Sequence, residues 1–509
     1  MAALTGTRVE LRLLESATGC PAPALDELVA SGLLGDDGTG LRFRHEIARL
    51  AVARAVPAHR ARSIHRLVLA AVCATDCADD ARLAFHAEAA GDGAAVLRYA
   101  PAAARQAARL ASHREAAAQF GRALRFAGGA DAAMRAELHQ GYAEEASLLD
   151  RWPDAEAAAE QALALWREAG DPLREGDALR RLSRIRWNMC HGRAAVAAAE
   201  AAVAALEPLG PSVELAWSYA TSANQRMLYA EHDAAIELAR RAQALAVRFG
   251  ATDVSSDALN TEATSAAAKG ASVNGMDWAG QLRRALDLAL AGGHQEQAAR
   301  AYTNLAGIHN DRREFAAAER YLADGIAYCD EHDITTYAMC LRGERSTLLE
   351  RTGRWDEAVA LSTELLRAAG PSPANRLCTL IRLGALRARR GDPDVWPCLD
   401  EAADSAEENG EPQQRVPARL ARAEAYWLAG RPAEARREAE LADDACANLD
   451  AWLRGAVAVW LSRARRHLTP RSDPHRPLRR PRSGPASAAP TKRRWPSSAR
   501  RTRRRSARH

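Results

Sequence analysis

Along most of the chain, alanine and leucine recur every three to four positions between short polar breaks, the spacing that gathers apolar side chains on one face of a helix. At these breaks one signature returns. A helix ends in a short turn that often holds glycine, a bulky residue follows, and a small residue opens the next helix. The copies are Arg151-Trp152-Pro153-Asp154-Ala155, Gly192-Arg193 to Ala197, Glu231-His232 to Ala235, Arg313-Glu314-Phe315 to Ala318, Gly353-Arg354-Trp355-Asp356-Glu357-Ala358 and Gly430-Arg431-Pro432-Ala433-Glu434-Ala435. The small residues stand at 155, 197, 235, 318, 358 and 435, and weaker copies near Trp278 and Trp396 fill the two large gaps, so the period is close to 40.

The chemistry of the signature is specific. Gly353 suits the left-handed conformation that ends a helix, Asp356 and Glu357 favour the positive start of the next, and Ala358 lets two antiparallel helices approach closely. One such pair buries only part of its apolar face and needs neighbours. The pattern therefore predicts an all-α fold: a tetratricopeptide-like right-handed solenoid of about seven helical pairs over residues 130–461, enclosing an extended groove. The two weak copies are expected to be distorted.

The flanks read differently. Residues 1–56 hold a helix around Ala24 to Val29, a hairpin turn at Asp36-Asp37-Gly38-Thr39-Gly40, the segment Leu41 to Arg44 and a new helix from His45, which predicts a small winged-helix-like module. Residues 57–129 read as a helical bridge broken near Asp76 to Asp80, at Gly91-Asp92-Gly93 and around Ser112-His113. After Leu461 the helical pattern stops. Residues 462–509 are rich in Arg, Pro and Ser and are expected to be a disordered basic tail, of the composition that a shifted reading frame of GC-rich DNA produces.

Charge sharpens this division. The tail from Ser462 carries 17 Lys and Arg against one acid, so the formal net charge of +5 leaves the rest of the chain with 53 basic and 64 acidic groups, a balance of −11. A surface that binds nucleic acid needs clustered positive charge, so only the tail is a candidate for such contact. No run of 18 apolar residues and no leader pattern occurs, so no membrane association is expected and the protein is expected to be cytoplasmic. The nine cysteines show no paired CxxC spacing, and they read as buried or reduced thiols.

Motifs that carry catalysis are approached and missed. Lys269-Gly270-Ala271-Ser272 lacks the upstream glycines of a phosphate-binding loop. His45-Glu46-Ile47-Ala48-Arg49 has arginine where a zinc-protease helix needs its second histidine. Cys73 and Cys77, with His65 and His86 nearby, do not complete a ligand spacing, and no GxSxG elbow occurs. The chain thus reads as a non-enzyme with no cofactor, no metal and no catalytic residue, and no ligand-binding residue is assigned. Trp187, Trp217, Tyr219, Tyr302 and Trp427 fall in first helices of pairs, which line the concave side of such solenoids, but aromatic residues of helical repeats more often belong to the core.

Arg8-Val9-Glu10-Leu11-Arg12-Leu13-Leu14-Glu15, Leu25-Asp26-Glu27-Leu28, Phe43-Arg44-His45-Glu46-Ile47-Ala48-Arg49, Arg82-Leu83-Ala84-Phe85-His86-Ala87-Glu88-Ala89-Ala90-Gly91-Asp92 and Tyr99-Ala100-Pro101-Ala102-Ala103-Ala104 together resemble actinobacterial LuxR-type large ATP-binding transcriptional regulators, of the AAA/STAND ATPase class. The likeness covers about residues 5 to 460. It implies a regulator with an N-terminal ATPase, a winged-helix and tetratricopeptide sensor arm, and a C-terminal helix-turn-helix. Only the sensor portion has a counterpart here: no phosphate-binding position can be carried over, and no DNA-reading helix follows Leu461. The expected role is the non-catalytic sensor and protein-interaction arm of such a regulator, binding a protein or small-molecule effector in the solenoid groove. The alternative is an autonomous tetratricopeptide scaffold for a peptide or protein partner.

Overall fold

In the computed structural model, the described residues are 1–19, 22–36, 38, 40–74, 79–270, 277–368 and 372–468. Residues 469–509, which hold nearly all of the basic tail, and Cys20 and Cys77 lie outside them.

The chain opens with α1 (Ala2–Thr5), β1 (Arg8–Glu10), α2 (Leu11–Thr18), α3 (Ala22–Ala30), β2 (Leu34–Asp36), β3 (Gly40–Phe43) and α4 (Glu46–Ala55). The expected hairpin is present as β2 antiparallel to β3, and β1 joins its other side, giving the order β1-β3-β2. Gly40 is required by that pairing, because a Cβ there would sit 2.6 Å from the Val9 carbonyl oxygen. The small sheet has no separate core: Val9, Leu13, Leu25, Leu34 and Leu41 share one cluster with Val68, Leu69 and Val72 of α5 (Ala58–Cys73) and Leu83 of α6 (Asp80–Ala90). Arg82 of α6 also pairs with Glu10 at 2.9 Å.

Next come α7 (Gly93–Arg109) and α8 (His113–Leu124), separated at the breaks read from the sequence. Eight antiparallel pairs follow among the described residues, rather than about seven. They are α9 (Ala132–Leu148) with α10 (Trp152–Ala169), α11 (Pro172–Asn188) with α12 (Gly192–Leu206), α13 (Val213–Leu228) with α14 (His232–Phe249), and α15 (Thr252–Lys269) with α16 (Trp278–Gly292). Then come α17 (Gln295–Asp311) with α18 (Phe315–Glu331), α19 (Thr335–Arg351) with α20 (Trp355–Arg367), α21 (Pro373–Arg390) with α22 (Val395–Asn409), and α23 (Pro412–Leu428) with α24 (Pro432–Ala445). The last helix, α25 (Ala451–Leu468), continues past Leu461, where the sequence pattern ends. Both weak copies of the signature, at Trp278 and Val395, open full helices. No strand occurs between residues 130 and 461 among the described residues.

The recurring turn has one hydrogen-bond pattern. At the end of α9 the Arg151 N–H donates to the Ala146 carbonyl at 2.9 Å and the Asp150 N–H to Ser147 at 3.4 Å, the paired bonds that close a helix through one left-handed residue. The same pair of bonds recurs from His191 and Cys190, from Glu231 and Ala230, from Glu314 and Arg313, from Arg354 and Gly353, and from Arg431 and Gly430. Three positions into each second helix stands the small residue: Ala155, Ala235, Ala318, Ala358 and Ala435 are all at most 1% exposed. In the copy at Gly192 that place belongs to Ala195, which is buried; Ala197 points outward. Inside the alanine run Ala194 to Ala199 the sequence offers no phase, and the packing supplies it.

Candidate functional site

Next-nearest contacts show which helices lie inside the curve. Within the array the substantial ones join first helices: α11 to α13, α13 to α15, α15 to α17, α17 to α19, α19 to α21 and α21 to α23. Helices on the inside of a superhelix are crowded together and those outside are spread apart, so the first helices form the concave face.

That face is charged and self-paired. Glu144 of α9 meets Arg181 of α11 at 2.8 Å, Asp257 of α15 meets Arg300 of α17 at 2.8 Å, and Asp311 of α17 meets Arg351 of α19 at 2.9 Å. Arg389 of α21 joins Glu350 of α19 at 2.5 Å and Glu424 of α23 at 2.7 Å. Each pair links consecutive first helices, so the ladder fixes their mutual register as well as neutralising the surface. Desolvation opposes ionisation of Asp177, yet Arg180 and Arg181 beside it hold its carboxyl well below the usual range. Glu144 is likewise held down, against desolvation, chiefly by Arg181. Side-chain amides continue the network: Arg300 donates to Asn224 at 2.7 Å, and Asn304 donates to Asn260 at 2.5 Å. A narrow cleft between α9, α10 and α11 opens onto this face, lined by Gln140, Glu144, Ser147, Arg181 and Arg184.

The chain itself makes contacts across the groove. Contacts join α9 to α19, α11 to α21 and α12 to α22, so helices ten apart meet and a second coil seats on the first. Asp150 accepts from Trp152 at 2.7 Å, from Thr336 at 3.0 Å and from the Ser372 N–H at 2.9 Å. Trp187 donates to Glu411 at 3.0 Å, Tyr229 donates to the Asn409 carbonyl at 2.9 Å, and Arg184 pairs with Glu296. At the upper end His113 bridges Glu145 and Gln295 at 2.7 and 3.0 Å. Glu411 is only 2% exposed, and burial pushes its carboxyl up to about 7.

No family model and no curated protein matches the chain. Solved structures of similar fold include the signal transduction ATPase with numerous domains that carries a tetratricopeptide repeat sensor, from Pyrococcus horikoshii. It is 14% identical over 80% of this chain and 62% of that one, with a TM-score of 0.38, so the chain spans less than two thirds of its length. The Rap protein complexed with competence and sporulation factor is 12% identical over 72% of this chain and 97% of that one, at a TM-score of 0.45. Yeast Tom70 is 12% identical over 81% and 94% respectively, at 0.36.

The residues singled out in the sequence fall into place individually. Tyr219 is core, with its hydroxyl on Glu207 at 2.7 Å, and Trp217 and Tyr302 pack half-buried against neighbouring clusters. Trp427 stands edge-on to Trp460 of α25, at 6.4 Å between centroids. Trp187 crosses between the coils. Lys269 closes α15 and pairs with Asp233, while residues 271–276 lie outside the described region. His45 stands at the N-cap position of α4 without a side-chain capping bond, and Glu46 pairs with Arg49 at 2.6 Å. Cys73 meets the Tyr99 hydroxyl at 3.3 Å, and His65 and His86 face each other at 2.9 Å in a buried contact. Sequence reasoning missed Glu411 and Asp150, which read as ordinary turn acids.

Proposed function

We propose that this chain is the sensor and protein-interaction arm of a LuxR-type, STAND-class transcriptional regulator, acting by binding and without catalysis. The observation that carries this reading is the concave face: ion pairs and amides that link most of the successive first helices, a polar surface whose groups can be matched by a bound peptide or effector. The segments from Arg8 to Ala104 that resemble such regulators support the assignment to that class. An effector that enters between the coils competes with Trp187, Tyr229 and Asp150 for their partners and so couples occupancy to the curvature of the arm.

The flanking nucleotide sequence tests the regulator assignment. An ATPase frame upstream and a helix-turn-helix in another frame downstream of Leu461 are expected; absence of both leaves the autonomous scaffold as the reading. The purified chain is expected to show no saturable ATP binding and no hydrolysis; saturable binding contradicts the domain assignment, and hydrolysis contradicts the non-catalytic role. The scaffold reading has its own support in the contacts between the coils, where Arg184 pairs with Glu296 and Trp187 with Glu411 within this one chain.

A further inference from the structure

The segment from Asn409 to Gln414 seats the head of α23 on the first coil. Trp187 donates to Glu411 at 3.0 Å, Tyr229 donates to the Asn409 carbonyl at 2.9 Å, and Gln413 donates to the Met227 carbonyl at 3.1 Å. Gly192 packs so closely on Asn409 that a Cβ has no room there. At the centre stands an acid without a cation: Glu411 is 2% exposed, and its partners among the described residues are the Trp187 indole and the Asn409 amide.

The surroundings do not neutralise it. The titratable groups that face Glu411 are the Cys190 thiol, the Tyr229 phenol and the Cys378 thiol; desolvation pushes all three up, so each is uncharged near neutrality. Arg415, beside it on α23, is committed to Glu407 at 2.9 Å, and Arg193 and Glu408 are exposed. The Asn409 nitrogen donates to Gln414 at 2.6 Å and to Glu411 at 3.3 Å, while its amide oxygen is buried without a partner among the described residues. A carboxylic acid beside that amide has a hydrogen to offer. A carboxylate brings only another acceptor and a buried charge, which costs far more here than in water. Gly410, at φ 76°, gives the backbone freedom for the segment to swing out.

We infer that Asn409 to Gln414 form a proton-operated clasp: neutral Glu411 holds the head of α23 on α11 and α13, and loss of its proton releases the segment into water and opens this junction between the coils. The opening is local. Glu411 gains hydration, and the bonds from Trp187, Tyr229 and Gln413 are given up together while the helical pairs on either side stay folded. The closed form binds the proton more tightly than the open one, since burial raises the carboxyl from 4.5 to about 7. Opening is therefore suppressed at low pH, grows about tenfold per pH unit across that window and levels off above it. The clasp belongs to the junction itself and stands whether or not the arm serves a regulator.

Cys190 reads the opening, because it is 4% exposed and packs with Ala374 and Leu377 across the junction. The full chain is labelled under native conditions with dithiodipyridine, and mass spectrometry follows modification of Cys190 against that of Cys329, which is 1% exposed in a different cluster and serves as the internal reference. The ratio of the two rates should rise about fiftyfold from about pH 5 to about pH 7.5. In Glu411→Gln, which keeps the shape and the acceptor and cannot ionise, the ratio should stay at its low-pH value. A ratio that does not change with pH in the parent overturns the inference, and so does a rise of the same size in Glu411→Gln. If that variant exposes Cys329 as well, and so has unfolded throughout, Glu411→Leu takes its place with the same expectation, and the parent's own ratio still decides.

Discussion

Asp150, Cys190 and Ala230 hold the same left-handed turn conformation as Gly353 and Gly430, with φ of 62, 59 and 61° against 82 and 72°. The first three are 5%, 4% and 3% exposed; the two glycines are exposed. A side chain at positive φ costs about 1 to 2 kcal/mol, so a turn that keeps one needs compensation. In the first coil the compensation is the second coil: Asp150 binds Thr336 and Ser372, Cys190 packs with Ala374 and Leu377, and Ala230 packs with Val416 and Leu420. The turns at Gly353 and Gly430 face solvent, and glycine alone meets the backbone demand. Arg313 shares the conformation at φ 64° while remaining exposed, so the absence of glycine at this place permits a contact between coils without dictating one.

The contrast between buried and open turns can be broken by substitution. The largest effect is expected for Asp150→Ala, which leaves the Trp152 indole, the Thr336 hydroxyl and the Ser372 N–H without their acceptor: a loss of about 3 kcal/mol in urea unfolding. Gly192→Ala follows at about 2 kcal/mol, because its new Cβ collides with the Asn409 backbone and the Tyr229 hydroxyl. A loss no greater than that of Gly353→Ala would show the coils apart at this point.

Glu411→Gln sharpens the comparison through pH. With its folded carboxyl raised from 4.5 to about 7, Glu411 keeps a proton that the unfolded chain releases, so its contribution is full at low pH and is lost as pH rises through that window. Gln lacks this slope. Relative to the parent, the variant should gain about 2 kcal/mol in unfolding free energy on going from about pH 5 to about pH 8; a constant difference contradicts burial of Glu411 between the coils. Gly353→Ala should cost least, about 1 kcal/mol, since only backbone strain opposes it and nothing lies within 4 Å of the added Cβ.

Much of the array was legible because its cause is local. A left-handed turn, a bulky corner and a buried small residue must coincide in each pair, so a period close to 40 betrays them, and Trp278 and Trp396 marked real pairs despite poor copies of the signature. The hairpin at Asp36 to Gly40 announced itself by turn chemistry, while the three-residue β1 was too short to show an alternation. The contacts between coils were not legible. Trp187 and Glu411 are 224 residues apart, and Gly410-Glu411-Pro412 looks like any helix start. Which acid is buried there depends on the pitch of the superhelix, which no local pattern encodes.

The closure of the second coil on the first is tested most directly by a double-mutant cycle between Trp187 and Glu411, whose hydrogen bond spans 3.0 Å from α11 to the head of α23. Trp187→Phe, Glu411→Leu and the double variant are unfolded in urea at one pH, and the interaction free energy is taken from the four stabilities. The closed superhelix predicts a coupling of about 1 kcal/mol. Additivity within about 0.3 kcal/mol, as for residues on coils that do not touch, would contradict it.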